Sequence, residues 1–198
     1  MPRWEPDAAE RLEAAAFELF TDQGFERTTV AEIALRAGLT PRSFFNHFTD
    51  KREVLFSLSG QFQVELVREI GSAADTLGPL DAVVRALQVA DTMFEQRRPA
   101  VTRRHAIIAA NPQLQERELS KEAALIDAIA AALRGRGVDP ETAHLTAGAG
   151  MLIQQTAVRR WTQPAQDRPV CELLSDALHA LRTTVTEGSD RRVTPSRT

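Results

Sequence analysis

The amino-acid sequence predicts an all-α protein, with a three-helix helix-turn-helix domain at the N-terminus and a larger helical bundle after it. Three observations carry the prediction. Ala, Leu, Arg, Glu and Gln dominate the chain, and all favour helix. Apolar residues recur at three- and four-residue steps, with no sustained alternation of the kind a strand shows. Cap residues, prolines and glycines cut the pattern into about nine helices. At 198 residues with 43% hydrophobic and 26% charged, the chain is long and apolar enough to bury a core.

The first helix is expected from about Ala8 to Asp22, with Leu12, Ala15, Ala16, Leu19 and Phe20 as its buried stripe and Gly24 as the stop. Asp7 and Glu10 have capping-box spacing at its start. Thr29 and Glu32 form a second box and open a short helix that ends at Gly38. Thr40 followed by Pro41 opens a third, because proline at the first helical position forfeits no needed N–H. Asp50 and Glu53 repeat the box and predict a long continuous helix to about Gly71, with Val54, Leu55, Leu58, Phe62 and Leu66 on its apolar face. Gly78-Pro79, Pro99, Pro112, Pro140 and Pro169 start or separate the rest: about 81–96, 99–111, 112–134, 141–162 and 170–186. The expected domains are 1–50, the helix-turn-helix; 51–187, the bundle; and 188–198, a polar tail expected to be disordered.

The net charge is −3, which by itself argues against a nucleic-acid partner. The distribution says otherwise. Residues 27–52 hold Arg27, Arg36, Arg42, Lys51 and Arg52 against Glu32 and Asp50, a net of +3 by five less two. Low overall charge limits non-specific adhesion to DNA, which is electrostatic. A single cysteine, Cys171, excludes an internal disulfide. No apolar run nears the roughly 18 residues of a membrane span, and the first residues lack the apolar core of a signal peptide. A cytoplasmic protein with no membrane partner is expected.

The two short helices joined by Ala37-Gly38-Leu39-Thr40 are a helix-turn-helix arrangement. The second would enter the major groove, with free N–H groups and a partial positive charge at its N-terminus. Arg42 can donate two hydrogen bonds to guanine. Ser43 and Asn46 reach bases or phosphates. Thr29, His47 and Lys51 stand at neighbouring helix ends and can clamp phosphates. Thr29, Thr40 and Asp50 serve as caps in any case, and Phe20, Phe25, Phe44 and Phe48 read as the small core. His47 is no metal ligand, since no second His or Cys lies at ligand spacing. No triad, metal spacing or phosphate loop is present, so neither an enzyme nor a bound cofactor or metal is expected.

The run Phe20…Gly24-Phe25…Thr28-Thr29-Val30…Ile33-Ala34…Ala37-Gly38-Leu39…Phe44-Phe45-Asn46-His47-Phe48…Lys51…Val54-Leu55 resembles the DNA-binding domain of TetR-family transcriptional regulators over about residues 10–56. Two positions depart from the family pattern. Phe45 stands where Tyr is usual, so no phenol reaches a phosphate, and Arg42 stands where Gly is common. The resemblance implies a DNA interface of Arg27, Thr28, Thr29, Thr40, Pro41, Arg42, Ser43, Phe45, Asn46, His47 and Lys51. Further on, Arg97-Arg98-Pro99…Asn111-Pro112-Gln113-Leu114-Gln115-Glu116-Arg117 and Arg159-Arg160-Trp161 resemble the C-terminal domain of MftR-type regulators. That implies a small-molecule effector of acyl-CoA-like chemistry.

Candidate effector-site residues are Phe62, Met93, Arg104, His105, Ile108, Leu125, Met151 and Gln155. Core packing is the alternative for the apolar ones and for Gln155. A buried hydrogen bond is the alternative for His105, and a solvated face for the Arg103–Arg104 pair. The reading is a ligand-responsive homodimeric repressor. It would bind a palindromic double-stranded operator, pair through its last two long helices and be released by an amphipathic or apolar effector. An activator of the same fold, or a helical small-molecule-binding protein whose helix-turn-helix is only structural, are the alternatives.

Overall fold

The computed structural model describes residues 7–95 and 97–190. The described residues are all helix, turn and loop, in the order α1 (Ala8–Asp22), α2 (Val30–Arg36), α3 (Pro41–Phe45), a 3-10 turn (Glu53–Phe56), α4 (Ser59–Ser72), α5 (Pro79–Ala90), α6 (Thr92–Glu95), α7 (Arg98–Ala109), α8 (Pro112–Gly135), α9 (Pro140–Trp161) and α10 (Val170–Asp190). No helix among them is long and apolar enough to cross a membrane.

The local signals place most helix ends. Thr29 Oγ1 accepts from the Glu32 amide while the Glu32 carboxylate accepts from the Thr29 amide, a complete capping box. Thr40 Oγ1 caps α3 by accepting from the Ser43 amide at 3.1 Å, and Pro41 occupies the first helical position. Two boxes fail. Asp7 precedes α1 without a side-chain cap bond. Asp50 Oδ1 does accept from the Arg52 and Glu53 amides, but the chain then makes one 3-10 turn and breaks at Ser57–Leu58, in place of the expected continuous helix. Glu53 does not reach back to Asp50, because its carboxylate is held by Arg117 at 2.5 Å and by Lys121 at 3.2 Å. The helix expected at 81–96 likewise divides at Asp91 into α5 and α6. Of the expected tail, residues 188–190 continue α10, and 191–198 lie outside the described residues.

The chain forms two compact units that depart from the expected division at residue 50. Among the described residues, the first comprises 7–60 and 97–121, and the second 61–95 and 122–190. α7 joins the first unit because Ile107 and Ile108, with Leu114 at the start of α8, enter the same apolar cluster as α1, α2 and α3. Leu12, Ala16, Ile33, Ala34, Phe44 and Val54 are fully buried there. Phe17, outside the expected stripe of α1, is buried too, since α1 is covered on more than one side.

A polar cluster ties the 3-10 turn to α7 and α8 within this unit. Arg104 donates to the Leu55 carbonyl at 2.7 Å and to Glu118 at 2.8 Å. The Arg104 guanidinium and the Lys121 ammonium stand 5.0 and 5.3 Å from the Phe56 ring. A cation against an aromatic ring gains about 0.5–1 kcal/mol at partly exposed sites.

In the second unit α5, α9 and α10 pack against one another. α5 and α9 lie close together at Gly150, where a Cβ would overlap Val83 Cγ1. Arg136 donates to the carbonyls of Ile70, Ala73 and Ala74 at the C-terminal end of α4, groups that a helix end leaves without partners. Arg182 pairs with Asp81 at 2.8 Å, linking α10 to α5.

Candidate nucleic-acid interface

The reading surface is built around the turn between α2 and α3. Gly38 has φ +67°, a left-handed conformation that side chains other than glycine adopt at a cost. Arg11 of α1 donates from Nε and Nη2 to the Ala37 carbonyl at 3.2 and 2.8 Å, which pins this turn to the first helix. α3 is anchored by Phe44, fully buried, with Phe48 against it at 5.4 Å between ring centroids. Burying Phe44 turns the other face of this five-residue helix outward. Pro41, Arg42, Phe45, Asn46 and His47 are exposed, and Ser43 is half-buried.

The Arg42 side chain has no ion-pair or hydrogen-bond partner among the described residues, so its guanidinium donors are free. Phe45 is 59% exposed and meets Phe44 edge-on at 5.5 Å. That exposure, on the outward face of α3, makes Phe45 a contact candidate. Arg27 is exposed, and its Nε donates to the Gln23 carbonyl while the rest of the guanidinium faces outward.

The geometry removes other expected donors. At the start of α3, Pro41 has no N–H, and the amides of Ser43 and Phe44 are taken by Thr40. Only the Arg42 amide remains of the expected row. The Thr29 hydroxyl donates to Glu32 Oε2 at 2.8 Å, so it serves the cap. These hydrogen bonds hold the Glu32 carboxyl below the usual carboxylate range.

Two of the expected contact residues have partners inside the domain. Thr28 is 1% exposed, and its hydroxyl donates to the Gly24 carbonyl at 2.9 Å. Lys51 donates from Nζ to the carbonyls of Phe25, Glu26 and Thr28 at 2.8, 3.2 and 2.9 Å, and stands 4.4 Å from the Phe25 ring centre. An ammonium has three protons. All three are used inside the domain, to close the loop between α1 and α2.

The eight expected effector-site residues do not come together in one unit. Arg104, His105 and Ile108 lie in the first. There Ile108 is core, and Arg104 is held by Leu55 and Glu118. Burial pushes the His105 imidazole below its usual range, and the neighbouring Arg104 charge adds to this. Phe62, Met93, Leu125, Met151 and Gln155 lie in the second. Phe62 and Met151 are buried, Met93 and Leu125 half-buried, and Gln155 exposed.

The polar group that sequence reading missed in the second unit is Asp91. It is fully buried, and Oδ1 accepts a hydrogen bond from Gln154 Nε2 of α9 at 3.4 Å. Oδ2 is buried without a partner. Loss of solvation pushes this carboxyl up to about 7, against the Gln154 hydrogen bond and with the Glu95 charge. A signal was present in the sequence: Asp91 follows Val84, Leu87 and Ala90 on the buried stripe of α5, where a carboxylate is out of place.

A buried-aromatic three-helix core presenting an exposed short helix after a glycine turn defines the class: a helix-turn-helix protein. Similarity to known proteins makes this specific. The family model described as bacterial regulatory proteins, tetR family, matches residues 12–58, and the one described as MftR C-terminal domain matches residues 77–186, more than half of the chain. The chain belongs to the TetR family of bacterial regulatory proteins, a family of regulators and not of enzymes.

Among curated relatives it is 49% identical over 45 residues to the HTH-type transcriptional regulator TcmR of Streptomyces glaucescens, covering 23% of this chain and 20% of that protein. It is 31% identical over 99 residues to the HTH-type transcriptional repressor BepR of Brucella suis biovar 1, covering 48% of this chain and 47% of that one. The chain thus spans a fifth to a half of these relatives. Among solved structures it shares a fold with Thermus thermophilus FadR, a TetR-family transcriptional repressor in complex with lauroyl-CoA. The TM-score is 0.53 at 24% identity, over 87% of this chain and 92% of that one.

Proposed function

We propose that the protein is a homodimeric transcriptional repressor that reads a palindromic operator with paired α3 helices and is released by a small amphipathic effector. The observation that carries the reading is the free, exposed Arg42 on an α3 whose opposite face is locked by Phe44. A planar guanidinium with no internal partner is suited to the two acceptors of guanine in the major groove. Arg27, Ser43, Phe45, Asn46 and His47 complete the proposed surface, and phosphate contacts fix its register. Thr29 and Thr40 shape it as caps.

One five-residue helix makes few base contacts. Two of them about 34 Å apart read a palindrome. α9 supports pairing, since Leu145 and Leu152 are 66% and 54% exposed seven residues apart, with Gly148 open between them. An apolar stripe of this kind suits a symmetric helix interface. BepR is named a repressor, which favours repression over activation here. FadR holds lauroyl-CoA, and this chain carries the MftR-type C-terminal domain, so an acyl-CoA-like effector in the second unit is the proposed signal. The effector shifts the DNA-bound state only by its differential affinity, about 1–3 kcal/mol in typical cases.

Selection of bound DNA from a random pool, followed by gel shifts with acyl-CoA titration, tests the reading. A two-fold symmetric site from which acyl-CoA displaces the protein is expected. Failure to enrich any sequence refutes the DNA-reading part, and a site that no acyl-CoA releases refutes the effector part.

A further inference from the structure

We propose that Asp91, with Gln154, is the polar anchor of a ligand site in the second unit, and that this site takes an N–H or O–H donor carried on an apolar body while rejecting a carboxylate. The inference rests on the reading of the second unit as the effector-binding part, and deepens it.

The orphaned oxygen is the first ground. A buried acceptor without a partner is costly and uncommon in folded chains. Asp91 is 0% exposed, the hydrogen bond to its Oδ1 is long at 3.4 Å, and Oδ2 has none. The surroundings are the second ground. The carboxyl sits where α5 ends, immediately before α6, a four-residue helix with no buried residue. Asp91 therefore directly precedes the shortest helix of its unit. α6 is held at its end by the Val170 amide, which donates to Glu95 Oε1 at 2.9 Å, and through Phe94, whose ring lies 5.3 Å from that of Phe62. A ligand that displaces this short segment would set its apolar part against Phe62 and Phe94 and bring a donor to Oδ2. Weakly packed segments of this kind open at low cost.

The chemistry sets the class. With its value at about 7 the carboxyl is divided between neutral and ionised forms at neutral pH, and a ligand donor at Oδ2 favours the ionised one, which only accepts. With Glu95 nearby, the site carries two acidic groups, and no basic side chain among the described residues offsets them at Asp91. A ligand carboxylate there would face the Glu95 charge and loss of solvation, and could bond Oδ2 only while Asp91 keeps its proton. An alcohol or amide gains a hydrogen bond, and an ammonium gains a charge-assisted one. In an acyl-CoA, the amides of the arm beyond the thioester supply such donors, whereas a free fatty acid does not.

Calorimetric titration of the full chain without DNA, using dodecylammonium, dodecanol and dodecanoate, tests this. Affinity is expected to fall from dodecylammonium through dodecanol to dodecanoate, the last at least about tenfold weaker than the first. In Asp91→Leu the discrimination among the three should collapse. In Asp91→Asn, which keeps the volume, dodecylammonium should lose its advantage over dodecanol. No binding of any probe to the unaltered protein, or an unchanged order in both variants, overturns the proposal. DNA release is scored separately by gel shift: ligands bound through Asp91 that fail to release DNA refute the effector switch and leave the anchor standing.

Discussion

Replacing Lys51 with methionine separates a positioning role from a DNA contact. The ammonium satisfies the carbonyls of Phe25, Glu26 and Thr28 and stacks on Phe25. The Phe25 and Thr28 bonds are partly buried, while the Glu26 bond is exposed and water can replace it. Charge-assisted bonds contribute about 1.5–3 kcal/mol each when the partner cannot rehydrate, and partial exposure discounts that. The stem of methionine retains most of the apolar packing. The expected loss is about 2–4 kcal/mol, borne by the first unit. Urea unfolding at fixed protein concentration, without DNA, measures it. The salt dependence of DNA binding, measured where the variant is still folded, should keep its slope. If Lys51 instead neutralises a phosphate in each protomer, stability would stay unchanged and the slope would fall by about two. That pair of results would refute the structural assignment.

Arg42→Ala should leave stability within about 0.5 kcal/mol, since no internal partner is lost, and should cost about 1–3 kcal/mol of affinity with relaxed preference at one operator position. Anisotropy titrations against single-base variants of the operator check this. Gly150→Ala should destabilise by about 1–2 kcal/mol, because overlap with Val83 outweighs the helix propensity gained, and Val83→Ala in the same chain should recover part of that loss in urea unfolding. Leu152→Asp should shift the protein toward monomer in sedimentation and abolish operator binding, if α9 forms the proposed interface. Asp91 predicts a pH dependence of the unligated protein. Its folded value of about 7 exceeds its unfolded value near 3.8, so the folded state binds the extra proton. The associated stability is full below pH about 4, falls as pH rises toward about 7, and amounts to at most about 4 kcal/mol. Asp91→Asn should flatten that limb in unfolding midpoints measured across pH.

The helix-turn-helix was legible because its determinants are local. Thr29 with Glu32 and Thr40 with Ser43 are contacts three residues apart, and Pro41, Pro112 and Pro140 sit at first helical positions. Arg42 and Asn46 followed from their place in the second helix of the motif, His47 from its place at a helix end, and Phe45 from the family resemblance. Residues that could bond in two directions were not legible. Lys51 next to a recognition helix reads as a phosphate clamp, yet its acceptors lie 23 to 26 residues earlier. Glu53 has capping-box spacing, yet Arg117 and Lys121 outcompete the cap with full charges.

The sequence by itself determined the fold class, most helix boundaries, the exposed face of α3 and the family, because short-range hydrogen bonds and apolar period write these directly into the order of residues. Tertiary structure alone decided which donors remain free for DNA, that α7 belongs with the helix-turn-helix, and that Asp91 is buried beside Gln154. Each depends on which distant groups meet, and charge, burial and solvation act through that meeting. The separation of 63 residues between Asp91 and Gln154 carries no local signal, and it is there that the orphaned carboxyl oxygen lies.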